Sequence, residues 1–147
     1  SLGSLYQISN INNTRVGELM SLKDGSTPTE PVDRGGDLEI TSLNPVYQAF
    51  LETFTPEEIR VLAQNEEVLR IGYALNETGA VLEVRFTMLR DRPHLYNIPP
   101  QYLEKLEAKL KSTVHYVIPE YKRQQLCKYN VITVSQVFPF KSLLDKL

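Results

Sequence analysis

The side chains able to bind a metal, attack a substrate or carry a proton are few in this chain of 147 residues. His94 and His115 are the only histidines and Cys127 is the only cysteine. A zinc site needs three or four ligands at short spacing, and neither histidine has a His or Cys two to four residues away. Cys127 lacks a second thiol for a disulfide and a nucleophile motif around it, so it reads as an inert, buried thiol. Asp33, Asp37 and Glu39 lie in a Gly-rich stretch with the composition of a calcium loop. Their spacing departs from the EF-hand order and Arg34 stands among them, which makes solvated loop charges the expectation. Gly35-Gly36 is not followed by the helix-opening pattern that cradles a phosphate. Arg85, Arg90 and Arg92, with Tyr96 nearby, combine cations with an aromatic ring, the ingredients of a single-strand nucleic-acid platform. The net charge of -2 and the lack of any RNA-binding signature argue against that use. Asn12-Asn13-Thr14 and Asn76-Glu77-Thr78 match the glycosylation pattern, the second at a hairpin tip where Asn serves the turn itself. These residues predict no catalytic centre, no metal site, no cofactor and no nucleic-acid partner.

The chain is long enough for one sound core without disulfides, and 41% hydrophobic with 23% charged residues is ordinary for a globular domain. Charge is spread unevenly: residues 1–65 hold 4 basic and 9 acidic side chains (net -5), and 66–147 hold 12 and 9 (net +3). A start at Ser1-Leu2-Gly3 with no Met and no basic-plus-apolar leader reads as a processed or trimmed end. The region contains no apolar run near 18 residues, so no membrane contact is expected from it.

The elements that would position any site follow from periodicity. Residues 1–66 read as an extension: a weakly alternating start, for which a hairpin or a strand entering a helical turn both fit, then an exposed, mobile loop over 23–37. Asp24-Gly25, Pro28, Pro31 and Gly35-Gly36 punctuate that loop. Asn44-Pro45 opens a helix with Asn44 as its cap, and Thr55-Pro56-Glu57-Glu58 opens a second as a capping box. Val46, Phe50 and Phe54, then Ile59, Leu62 and Ala63, form their inner faces. Residues 67–147 read as a β-β-α-β unit. Leu69, Ile71, Tyr73 and Leu75 alternate toward one face, Asn76-Glu77-Thr78-Gly79 turns the chain, and Leu82, Val84, Phe86 and Met88 return. Tyr102 to Val117 is patterned as one helix of about five turns, ended by Pro119. Asn130 to Phe140 closes the unit as a strand, with Pro139 suited to an edge. The fold class expected is α+β: a three-stranded antiparallel sheet with one long helix packed on it, preceded by a short helical extension.

That order, with the Asn76-x-x-Gly79 turn, the Val81-Leu82-Glu83-Val84 strand, the Tyr116-Val117-Ile118-Pro119 helix exit and the last strand, resembles the C-terminal domain of TonB. The whole chain also resembles uncharacterised exported proteins of gut Bacteroidetes. The first resemblance implies a non-catalytic module, periplasmic or anchored facing the periplasm, whose last strand takes up an extended protein or peptide segment by strand addition. The edge so implied is Val131, Thr133, Ser135 and Val137. Residues 1–66 have no counterpart in that family, and no Pro/Lys-rich spacer or transmembrane segment precedes the domain. Two alternatives stay open at this point. The edge is covered by residues 1–22 or by a second copy of the chain, or a small ligand or substrate occupies a groove between the Val46–Ala63 helices and the sheet.

Overall fold

The computed structural model describes residues 5–15, 23–26, 38–89 and 91–147. In chain order the elements are β1 (Leu5–Ser9), β2 (Glu39–Ile40), α1 (Asn44–Thr53), α2 (Pro56–Gln64), β3 (Val68–Leu75), β4 (Val81–Leu89), α3 (Pro93–Tyr96), α4 (Pro100–Thr113), β5 (Tyr116–Val117), α5 (Glu120–Leu126) and β6 (Ile132–Pro139). A 3-10 segment, Phe140–Lys146, ends the chain. The main sheet is antiparallel with order β1-β4-β3-β6, and β2 pairs with β5 in a separate ribbon.

Four strands form that sheet where three were expected. The fourth is β1, which lies along β4 with Tyr6 opposite Met88 and Ile8 opposite Phe86. Its alternation turns Tyr6 and Ile8 toward the core and leaves Leu5, Gln7 and Ser9 exposed, which is the pattern of a strand packed on one face. Most of the loop expected over 23–37 (residues 27–37) and most of the stretch 14–22 fall outside the described residues.

The β3–β4 hairpin turns on a side chain and a glycine. Asn76 Oδ1 accepts from the Thr78 N–H, the Thr78 hydroxyl and the Ala80 N–H, at 2.9, 2.7 and 3.0 Å. Gly79 follows at φ +89°, a backbone state that costs glycine nothing. Its carbonyl accepts the Tyr116 N–H at 2.9 Å, which ties the hairpin tip to β5.

One face of the sheet packs on helices. Leu69, Ile71 and Tyr73 of β3, Val84, Phe86 and Met88 of β4, and Val134 and Phe138 of β6 are buried beneath Leu103, Leu106 and Leu110 of α4 and Val46 and Phe50 of α1. The helix expected through Val117 stops at Thr113. Val114 is already extended at ψ 137°, and Tyr116 and Val117 pair with Ile40 and Glu39 instead. The β-branched residues Thr113, Val114, Val117 and Ile118 favour the extended chain, and the Gly79 carbonyl rewards it. The polar stretch after Pro119 forms α5 rather than a connector.

Asn44 belongs to the first turn of α1, where its N–H donates to Ser42 Oγ at 3.1 Å, so it is not the cap expected. Thr55 completes its capping box: its hydroxyl accepts the Glu58 N–H at 3.2 Å and its own N–H donates to Glu58 Oε1 at 2.8 Å. Beneath the corner, Phe50 stacks on Phe138 at 4.1 Å and Phe54 and Phe140 meet edge-on at 5.4 Å. These rings pack the α1–α2 corner against the end of β6 and the 3-10 segment.

Glu67, 1% exposed, enters β3 with its carboxylate turned to α3, where Oε2 accepts the Leu95 N–H at 2.8 Å. Burial raises its pKa above the ordinary carboxylate value, against the opposing pull of that N–H and of Arg92. The folded chain therefore holds a proton that the unfolded chain releases as pH rises just above the ordinary value. Stability contributed by this group is complete below that interval and declines as pH rises through it. Glu67→Gln, which keeps the acceptor and removes the charge, is expected to flatten this decline in urea melts across pH 4–7. Glu67→Ala leaves the Leu95 N–H without its acceptor and is expected to cost about 1–3 kcal/mol.

Candidate functional site

β6 is an end strand whose sole ladder partner among the described residues is β3. Beyond the Val68–Pro139 pair, the Phe140 N–H donates to the Glu67 carbonyl at 3.1 Å. Even-numbered residues of β6 thus aim their backbone polar groups at β3. In an antiparallel ladder the residues between them aim the other way. Thr133, Ser135 and Val137 therefore present their N–H and C=O groups outward, along an edge with no neighbouring strand among the described residues. Pro139 is in the same outward class, where its missing N–H removes no ladder bond, and its carbonyl accepts the Ser142 hydroxyl at 2.6 Å.

The strand that carries this edge is held from below. Phe138 is clamped against Phe50, and Gln136 Oε1 accepts the Tyr73 hydroxyl at 2.9 Å. Burial raises the Tyr73 pKa well above its ordinary value and pushes Tyr116, whose ring is 5.5 Å away, up to about 12. Both phenols stay neutral at any working pH, so the Tyr73 hydroxyl that anchors Gln136 does not titrate. A fixed edge loses little further freedom when a partner pairs with it.

Side chains of the outward residues rise on the open face of the sheet, opposite the helices. Ser135 is exposed, Val137 is 56% exposed and Thr133 is half-buried. Val131 departs from the expected set: it precedes the strand, is 3% exposed and lines a cleft together with Leu126 and Tyr129. Alternation carries through Val131 in the sequence, but the chain enters the sheet one residue later.

Register assembles rows across the open face. Gln7, Thr87, Arg70 and Val137 form one row, and Ser9, Arg85, Gly72 and Ser135 form the next. At one end the face is covered. Glu83 accepts the Thr14 and Arg15 N–H groups at 2.8 and 2.6 Å, and Asn13 Nδ2 donates to the Val84 carbonyl at 2.9 Å. At the other end Leu5 lies opposite Leu89, and Val68 lies opposite Pro139.

The remaining expected residues disperse. His94 and His115 are exposed on separate elements, and no group of three His, Cys, Asp or Glu side chains among the described residues is placed to hold a metal. Cys127 is half-buried rather than buried. Arg92 donates to the Asn65 carbonyl at 3.2 Å and Tyr96 packs edge-on against Tyr6 at 5.0 Å, both away from Arg85, while Arg90 lies outside the described residues. Asp33, Gly35, Gly36 and Asp37 lie outside them too. Sequence reading missed Arg70, whose place beside Val137 depends on pairing between segments 67 residues apart. The other clefts are open. One of about 390 Å³ lies between the end of β1 and α4, where Asn10 Nδ2 donates to Glu107 Oε1 at 3.1 Å. Among the described residues no helix is long and apolar enough to cross a membrane.

No family model matches the sequence, and no curated protein does. The fold is similar to the crystal structure of a DUF5043 family protein from Bacteroides uniformis, with a TM-score of 0.66 and 23% identity, over 92% of this chain and 74% of that one. A mixed α/β architecture with an antiparallel sheet and several helices is common to both, and at this identity the likeness is one of fold. The neighbour comes from the bacterial group that the whole-chain resemblance names. A relationship to TonB is not shown.

Proposed function

We propose that this protein is a non-catalytic binding module that takes up an extended protein or peptide segment along the outer edge of β6. The observation that carries this reading is the outward set of backbone groups at Thr133, Ser135 and Val137, on a strand locked from beneath by Phe138 and Gln136. Strand addition draws its affinity from such backbone groups and its selectivity from alternate side chains. The resemblance of Val68–Phe140 to the TonB C-terminal domain adds the same mode of binding and a periplasmic setting. It is an argument from fold, weaker than the edge geometry.

β1 bears on the alternative of a covered edge. It pairs with β4 at the opposite end of the sheet, so residues 5–9 do not cover β6. A second copy of the chain, or the part of residues 1–22 outside the described residues, remains the competing occupant.

Photo-crosslinking in cells separates them. A photoreactive residue at Val137 is expected to give a discrete heterologous adduct, absent from a control at exposed Lys111 and lost when Ser135→Pro removes an outward N–H. An adduct of twice the monomer mass, or none that depends on Ser135, overturns the reading.

A further inference from the structure

The open face beside β6 carries two guanidinium groups, those of Arg70 and Arg85. Among the described residues neither takes part in an ion pair or a side-chain hydrogen bond. They occupy diagonal positions on adjacent strands, since Arg70 faces Thr87 and Arg85 faces Gly72. Diagonal neighbours on one face interact when their side chains are long, and two like charges there repel until an anion joins them. The nearest carboxylate along β4, Glu83, is committed to the Thr14 and Arg15 amides.

Register places Arg70 one strand and Arg85 two strands in from β6, on the same face as Ser135 and Val137. Arg70 is directly opposite Val137, at a pair whose backbone groups point away from each other, the closer kind of antiparallel pair. A strand added outside β6 would stand about 10 Å from Arg70, two strand spacings. Extended arginine and glutamate side chains close that gap from both sides, over the short Val137. Arg85 is one strand farther in, but between it and Ser135 stands Gly72. A Cβ on Gly72 would meet only the Arg85 carbonyl, at 3.7 Å, so the surface there is low. The net +3 of residues 66–147 points the same way.

We infer that the segment taken up at the β6 edge carries carboxylates on its open-face side, one of them opposite Val137 and paired with Arg70, with Arg85 reinforcing it. The inference rests on the strand-addition reading and names the chemistry of its partner: an acidic extended peptide.

The probes are two fluorescein-labelled nine-residue peptides, Thr-Glu-Val-Glu-Val-Glu-Val-Glu-Thr and the same peptide with every Glu replaced by Gln, titrated with the full chain and read by anisotropy. The acidic peptide is expected to bind at least about tenfold more tightly at low salt, with the advantage shrinking as salt is added. In Arg70→Gln/Arg85→Gln the two peptides are expected to bind within about twofold of each other, the advantage being electrostatic. Backbone N-methylation at alternate peptide positions, which leaves the protein untouched, is expected to abolish binding of both.

Equal binding of the two peptides, abolished by N-methylation, overturns the acidic partner and leaves strand addition standing. Arginine-dependent binding that survives N-methylation overturns strand addition, and the inference with it, in favour of a plain anionic surface contact. No binding of either peptide overturns the acidic partner for this edge, and the Val137 crosslink then decides the edge by itself.

Discussion

Gly79→Ala is expected to destabilise the protein by more than about 3 kcal/mol and to lower Tm on the order of 10 °C. Two costs add. The residue sits at φ +89°, where a Cβ is strained. The new methyl would also stand 1.9 Å from the Tyr116 carbonyl oxygen, a backbone atom that cannot step aside alone. Relief requires the hairpin tip to leave β5, which breaks the Tyr116 N–H bond to the Gly79 carbonyl and the bridge between Ala80 and His115. Gly25 provides the control, because it has the same φ of +89° with nothing within 4 Å of its would-be Cβ. Gly25→Ala is expected to show the strain alone, about 1–2 kcal/mol at most. Urea denaturation of both variants isolates the clash as their difference. Equal losses would mean that the hairpin tip does not press on β5.

Phe50→Ala is the other large effect, expected at about 3–5 kcal/mol with an unchanged m-value. Phe50 is fully buried, stacks on Phe138 and meets Phe140 edge-on at 5.4 Å. Its removal leaves a void that α1, pinned by Pro45 and by the Thr55 corner, can only partly close. The loss reaches the candidate site, because Phe138 is the side chain that clamps β6 from below. Faster amide exchange at Val134, Gln136 and Phe138 should accompany the loss of stability. Leu144→Ala, at a side chain 48% exposed, is expected to stay within about 0.5 kcal/mol of the parent.

What the sequence discloses and what it hides divides along the range of the interactions. The β3–β4 hairpin is legible because alternation of period two and the Asn76-Glu77-Thr78-Gly79 turn are both local. The start of α2 is legible for the same reason, since Thr55 and Glu58 are three residues apart. The end of α4 is only partly so: the β-branched residues from Thr113 on are local, but the Tyr116 N–H bond to the Gly79 carbonyl that holds the extended chain crosses the fold. β1 escapes detection as a strand of the main sheet because five alternating residues say nothing about which edge they will join. The outward parity of Thr133, Ser135 and Val137 is visible in the sequence through Pro139, which tolerates only the outward class. Val131 is misplaced by the same alternation, which does not mark where pairing begins. Arg70 and Arg85 are hidden as a pair, since only register sets them diagonally on one face.

Amide hydrogen exchange along β6, followed by NMR in the free chain and with the acidic peptide, tests the open edge most directly. In the free chain the N–H groups of Val134, Gln136 and Phe138 should be protected by β3, and those of Thr133, Ser135 and Val137 should exchange rapidly. Addition of peptide should protect the second set and leave the first unchanged. Protection of Thr133, Ser135 and Val137 in the free monomer would contradict the account, because the edge would then already be occupied.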